Sequence, residues 1–187
     1  METLVAISLL LLAITGPMVF AQNGLRAAFQ SRDQVTAFNL AQDAIEFVKN
    51  RRDHNILDYS PEDWLLDVDQ CESQSNRAGG CSIDTSTSDG DIRVCSFETE
   101  EDIGCLGQDI DGLEDVPLKI DTDGVFGHDS SGVDSIFART VYVDTEGMGD
   151  DEARVTVLVR WRSHENLGVR EIEVVEYIRN WGSALEL

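Results

Sequence analysis

The chain has 187 residues, with 14 Lys or Arg against 36 Asp or Glu, for a formal charge of -22. That length leaves room for one modest globular domain behind an apolar N-terminal segment. The charge repels phosphate backbones, which argues against nucleic acid as a partner, and suits a solvated acidic surface, a cation-rich setting or contact with basic partners.

The charge is unevenly placed. Residues 1–53 hold five acids (Glu2, Asp33, Asp43, Glu46, Asp53) and five bases (Arg26, Arg32, Lys49, Arg51, Arg52) and sum to zero. Between 58 and 134 there are 21 acids against Arg77, Arg93 and Lys119. The first elements are therefore neutral and the middle of the chain is strongly acidic.

Residues 4–21 form an apolar run of 18, interrupted only by Ser8, Thr15, Gly16 and Pro17. This is the short end of what spans a bilayer. Pro17 would break a soluble helix, but membrane helices tolerate proline. Glu2 stands at the threshold of the run, with no Lys or Arg before it. A secretory signal peptide calls for positive charge there. A carboxylate held in lipid costs several kcal/mol, so Glu2 asks for a partner, and the partner can be on another chain.

Beyond the run, Leu25, Ala28, Phe29, Val35, Phe38, Ala41, Ile45 and Val48 recur at helical spacing, with polar residues between them. Lys49, Arg51 and Arg52 fill the last turn, where cations complement the helix dipole. With Gly24 as the one weak point, the spacing predicts a single helix from about residue 3 to about 52, roughly 75 Å long at 1.5 Å per residue. Its first half suits lipid and its second half suits packing on a domain.

Residues 54–135 read as acidic and loop-rich. Ser60 and Pro61 have the form of an N-cap and first helical residue, predicting a short helix that carries Trp64, Leu65 and Leu66. Residues 76–80 and 86–91 are turn material, and 92–97 is a short strand candidate. All four cysteines fall here, at 71, 81, 95 and 105. Behind a membrane-targeting segment, an even count points to an oxidising compartment and two disulfides, for which three connectivities exist. The equal spacing favours the local pairs Cys71–Cys81 and Cys95–Cys105. Zinc fits poorly, because its ligand pairs stand closer together in sequence. Asp109-Ile110-Asp111-Gly112 and Asp121-Thr122-Asp123-Gly124 have the D-x-D-G spacing that can offer oxygens to calcium, but neither completes an EF-hand loop, and ordinary Asx turns account for both. The expected cofactor is none, with calcium the weaker alternative.

From residue 136 the pattern turns to β-branched alternation. Residues 136–143, 153–162 and 169–178 predict three antiparallel strands, the last two joined by a hairpin turn over 164–168. Val155, Val157, Val159 and Trp161 share one face, which the amphipathic helix would cover. The expected fold class is α+β, a long N-terminal helix packed on a C-terminal antiparallel sheet. It divides into a transmembrane half-helix (1–22), an amphipathic half-helix (23–53), the acidic region (54–135) and the sheet (136–187).

With these features in place, the chain resembles the type IV pilin family, including minor pilins and the pseudopilins of type II secretion. Glu2-Thr3-Leu4-Val5-Ala6-Ile7-Ser8 looks like the family's mature start from its fourth residue onward, and the helix through Arg52 looks like its spine. The ending, with Val155-Thr156-Val157, Trp161, a hairpin and Tyr177 to Trp181, is similar to minor pilins, as are 117–126 and 137–141. The resemblance implies that Glu2 pairs with the terminal amine of a neighbouring subunit, and that the helix unwinds locally near Gly16 and Pro17 on assembly. It also implies other pilin or pseudopilin subunits and inner-membrane assembly machinery as partners, a single-pass membrane stage with the C-terminal domain outside, and then an extracytoplasmic filament. Some pseudopilins bind calcium in this part of the fold. The family's leader ends in Gly followed by Phe; here Met1 takes the place of the family's fourth residue, and a start placed too late is the expected explanation.

Two other classes stand beside this one. Val19-Phe20-Ala21 is an acceptable signal-peptidase site, and cleavage there would free an exported acidic binding module beginning at Gln22. A secreted hydrolase is third: His54, His128 and His164 sit in no metal or nucleophile motif, and the expectation is that the chain is not an enzyme. Arg26 and Arg32 follow the apolar run, against the usual placing of positive charge inside. The paired cysteines and the acidic domain argue for the C-terminal side outside.

Overall fold

A computed structural model describes residues 2–58, 61–72, 79–85, 91–94, 116–128, 132–162 and 168–185. The expected hairpin turn at 164–168 lies outside them except for Gly168. The chain divides into two compact units, Met1–Thr36 and Ala37–Leu187. A single helix, α1 (Glu2–Asp58, 57 residues), runs through both.

In the first unit, α1 is helical throughout, and its large apolar residues are exposed, Leu25, Phe29 and Val35 at 61%, 54% and 57% among them. In the second unit the buried face of α1 is Ala37, Leu40, Ala41, Ala44, Ile45 and Val48. This corrects the predicted stripe. Ala41, Ile45 and Val48 do face the core, whereas Phe38 is 46% exposed and Leu25, Phe29 and Val35 are not covered by the fold. Large apolar side chains dominate a periodicity reading, but three alanines form much of the face that lies against the sheet, and small residues allow close approach.

The helix also ends later than predicted, at Asp58. Its final turns are held by tertiary contacts rather than by the basic cluster. Asn55, 1% exposed, donates its side-chain amide to the carbonyls of Trp64 and Leu66. Ile56 is buried in the core, and His54 pairs with Asp58 one turn on at 3.2 Å.

Five strands form the main sheet: β1 (Cys81–Asp84), β2 (Asp91–Val94), β6 (Phe137–Asp144), β7 (Glu152–Arg162) and β8 (Val169–Arg179), in the order β2-β1-β6-β7-β8 and antiparallel throughout. A smaller antiparallel sheet, β4-β3-β5, is built from β3 (Lys119–Ile120), β4 (Phe126–Gly127) and β5 (Val133–Asp134). The three C-terminal strands lie where alternation placed them. The described parts of the acidic region supply β1 and β2 to the same sheet, with Cys81 opposite Val141, and send Trp64, Val68, Cys71, Ile83 and Leu118 into the same core. β1 is four residues long and alternates its core residues, Cys81 and Ile83, with Ser82 and Asp84, too short a pattern to stand out from loop.

The sheet is asymmetric. Ala153, Val155, Val157, Val159 and Trp161 of β7 point toward α1 together with Phe137, Val141 and Val143 of β6, and all are buried. Burying a valine or phenylalanine in this way contributes about 1.5–3 kcal/mol, so this layer is the main source of stability. The opposite face is only partly covered: Leu158 packs with Ala138 and Tyr142, and Arg160, 2% exposed, is bonded to Glu171.

The short helix predicted to start at Pro61 is present only as its first turn, and in 3-10 rather than α form. A 3-10 turn at Pro61–Asp63 passes through turns to a second at Asp69–Cys71. Asp67 takes a left-handed φ of 74°, which no helix continues through. Trp64 and Val68, both buried, still reach the core from this compact path. Ser60, the predicted cap, lies outside the described residues. Cys71 and Cys81 are joined by a disulfide that ties the second turn to the start of β1; Cys95 and Cys105 lie outside the described residues. Just before Cys81, Gly80 has a φ of +77°, and a Cβ there would stand 2.7 Å from both Thr140 Cγ2 and the Tyr142 ring. Only glycine lets the chain cross β6 here and leave Tyr142 buried.

Candidate functional site

Glu2 opens α1, its carboxylate in the first turn, where negative charge complements the helix dipole. The apolar run follows directly. Leu4, Val5, Ile7, Leu9, Leu11, Ile14, Met18, Val19 and Phe20 are between 55% and 82% exposed. An 18-residue window of this helix has a mean hydropathy of 2.4, and none of it is buried by the fold. α1 is therefore long and apolar enough to cross a membrane.

Local bonding suits a dry environment. Ser8 Oγ donates to the Leu4 carbonyl at 2.7 Å and Thr15 Oγ1 donates to the Leu11 carbonyl at 3.0 Å, so the hydroxyls in the run are satisfied by the helix itself. Gly16 and Pro17 lie in unbroken helix. Pro17 brings no N–H to the ladder, and a Cβ on Gly16 would meet nothing within 4 Å. The two residues are thus a point of reduced backbone bonding on a helix face that the fold leaves open.

In the second unit, polar side chains gather around Arg139. This guanidinium is 1% exposed and lies on the helix-facing side of β6. Nη1 donates to the Leu40 carbonyl of α1 at 2.8 Å and reaches Asp43 Oδ2 at 3.4 Å, while Nη2 donates to the Ile83 carbonyl of β1 at 2.6 Å. One side chain thereby joins the helix and two strands. Burial pushes the Arg139 guanidinium down from its ordinary value, opposed by the Asp43 carboxylate beside it and by the charge of Asp84. Thr85 Oγ1 donates to the same Asp43 oxygen.

On the other side of β1, Ser82 Oγ lies 2.6 Å from His128 Nε2, and Asp84 Oδ2 accepts the backbone N–H of His128 at 3.0 Å. Ser, His and Asp in this order invite comparison with a nucleophile and its base. The geometry fits a tie better. His128 Nδ1 stands 3.7 Å from Asp84 Oδ2, beyond hydrogen-bond reach, and Ser82 is buried at 1% exposure. The trio fastens the segment after β4 to β1. Sequence reasoning did not find it, because the partners are more than 40 residues apart and His128 stands in no motif.

The calcium candidates divide. Asp109 and Asp111 lie outside the described residues. Asp121 turns its carboxylate back on its own chain, where Oδ1 accepts the N–H groups of Asp123 at 2.8 Å and Val125 at 2.9 Å. This is an Asx turn between β3 and β4, completed by Gly124 at φ +82°. Asp123 is exposed. Among the described residues, no group of three His, Cys, Asp or Glu could hold a metal ion.

A second polar feature is a shallow groove of about 310 Å³ beside α1, lined by Asp43, Glu46, Asn50, His54 and Thr85 and by Arg51 lying over the Phe47 ring. The C-terminal end is pinned to the same part of α1, through Trp181 Nε1 donating to Asp53 Oδ1 at 2.8 Å and a Lys49–Glu176 ion pair. Comparison with protein-family models, with characterised proteins and with solved structures finds no match to this chain.

Proposed function

We propose that this chain is a minor pilin or pseudopilin, a membrane-anchored structural subunit of a type IV pilus or type II secretion pseudopilus. In this reading it has no enzymatic role and assembles through α1 with other subunits on inner-membrane machinery. One observation carries the reading: α1 joins an apolar, uncovered stretch that begins with a lone acid to a stretch docked on an antiparallel sheet.

Each part then has a use. The apolar stretch holds the monomer in the membrane and becomes the filament core. In lipid the Glu2 carboxylate is costly, and pairing with a cation on a neighbouring subunit relieves that cost and fixes the axial register between helices. The reduced backbone bonding at Gly16 and Pro17 provides a place for the helix to give during that move. The Cys71–Cys81 bond supports an oxidising compartment for the domain and hence an extracytoplasmic C-terminal side, against the contrary hint of Arg26 and Arg32.

Glu2→Ala tests the role given to the carboxylate. The variant should fold, insert into the membrane at wild-type levels and enter filaments about tenfold or more less often, since losing even part of a several-kcal/mol pairing exceeds a factor of ten. Quantitative blotting of membrane and sheared-filament fractions reads both numbers. Equal incorporation would remove Glu2 from the assembly contact. The alternative, an acidic binding module freed by cleavage after Ala21, predicts instead that Glu2→Ala changes nothing in the exported product.

A further inference from the structure

β8 is the outer strand of the main sheet and its longest edge. Its 11 residues pair with β7 along their whole length on one side, and among the described residues no strand pairs with the other side. The opposite edge, β2, has four residues. Successive residues of a strand direct their backbone N–H and C=O groups to alternate sides, so about half of those on β8 point away from the sheet. Burial agrees: β6 is buried along its full length, whereas β8 alternates between exposed and half-buried until Ile178. A free edge of this kind is a template for another strand.

The side chains say which strand. On the face turned away from α1, β8 presents Glu171, Glu173, Val175 and Tyr177. Glu171 is held by Arg160, while Glu173 is exposed and forms no ion pair with any described residue. Val175 and Tyr177 are 43% and 66% exposed. They border a shallow groove of about 380 Å³ that also holds Arg154, opposite Tyr177 on β7 and bonded to Asp144 on β6. An unpaired carboxylate beside two exposed apolar side chains, on a chain of formal charge -22, is complementary to a cation followed by apolar residues.

We propose that the β8 edge accepts an added strand from a basic polypeptide segment that alternates Lys or Arg with β-branched or aromatic residues. The backbone of that segment completes the β8 hydrogen bonds, one of its cations faces Glu173, and its apolar side chains rest on Val175 and Tyr177. A second copy of this chain is the poorer occupant, since it brings another charge of -22, and its own β8 sets three glutamates, at 171, 173 and 176, against two arginines, at 170 and 179. The inference concerns the second unit and stands apart from the filament reading.

The test uses the full chain in detergent micelles and two ten-residue peptides, one alternating Lys and Val and one alternating Glu and Val. Amide hydrogen exchange along β8 is the readout. The Lys-Val peptide should slow exchange at alternate β8 amides in a saturable manner, and the Glu-Val peptide should not. Glu173→Lys, a change at an exposed position, should weaken the Lys-Val peptide about tenfold, since an attractive cross-strand pair becomes a repulsive one. Tyr177→Ala should weaken it without altering charge. The proposal is overturned by binding that protects no β8 amide, by equal protection from both peptides, or by concentration-dependent protection of β8 without peptide, which would assign the edge to a second copy.

Discussion

Arg139→Ala is expected to destabilise the second unit by about 3–5 kcal/mol, the range for breaking a buried charged network from one side. The substitution removes donors from the Leu40 and Ile83 carbonyls, leaves Asp43 and Asp84 without their cation, and opens a cavity between α1 and β6. For a unit of this size each kcal/mol shifts the midpoint by about 2–4 °C, so thermal unfolding should move down by about 10 °C. Arg139→Lys should recover only part of the loss, because one ammonium cannot reach two carbonyls in the planar geometry of the guanidinium fork. Asp43→Asn should change stability by less than about 1 kcal/mol, since the Asp43 side chain is 51% exposed and its pairing is screened by water. Chemical and thermal unfolding of the four proteins, followed by tryptophan fluorescence, checks the order. Equal effects from Arg139→Ala and Asp43→Asn would mean that the guanidinium is not the tie between helix and sheet.

The second large effect lies in the first unit. Leu11 and Ile14 stand near the middle of the apolar run, exposed at 57% each. Replacing both with arginine should oppose membrane insertion by about 5–7 kcal/mol, taking about 2.5–3.5 kcal/mol for each arginine near a helix centre. The wild-type chain should resist alkaline carbonate extraction, and the double variant should be released. The fluorescence of Trp64 and Trp161, both buried in the core of the second unit, should be unchanged in the released protein. Extraction of both proteins alike would show that the run does not hold the chain in a bilayer.

Much of this architecture was legible in the sequence, for reasons particular residues make clear. Alternation survives over β8 and the first half of β7, where one face is more deeply buried than the other, so Val155 and Val157 cannot exchange places with Arg154 and Thr156. The helix was legible because an apolar run of 18 residues passes directly into a stretch with helical spacing. Its packed face was misjudged in part, because alanines at 37 and 44 carry little weight in such a pattern while an exposed Phe38 carries much. β1 was missed because four residues with two polar side chains resemble loop until β6 is beside them. The helix predicted from Pro61 starts there but stays a single 3-10 turn, and the left-handed Asp67 stops it from running on through Val68, which like Trp64 is buried.

Polar residues in the second unit were the hardest to read. Arg139 carried a visible signal, a lone cation at an inward position of an otherwise apolar strand, but its partners Leu40 and Ile83 lie 99 and 56 residues away. The Ser82–His128 contact carried none. Glu2, by contrast, was conspicuous from the start, as a carboxylate at the threshold of an apolar run with no Lys or Arg before it. The fold sharpens that point: the run that follows Glu2 is left uncovered, and the helix that carries it continues unbroken into the domain.

The central claim is that this apolar helix remains part of the protein and builds a filament. N-terminal sequencing and peptide mapping of the chain recovered from a sheared extracytoplasmic filament fraction tests it most directly. The account predicts that the chain is found in that fraction with Glu2 and the apolar run through Ala21 still attached. Recovery instead as a freely soluble exported protein beginning at Gln22 would contradict it.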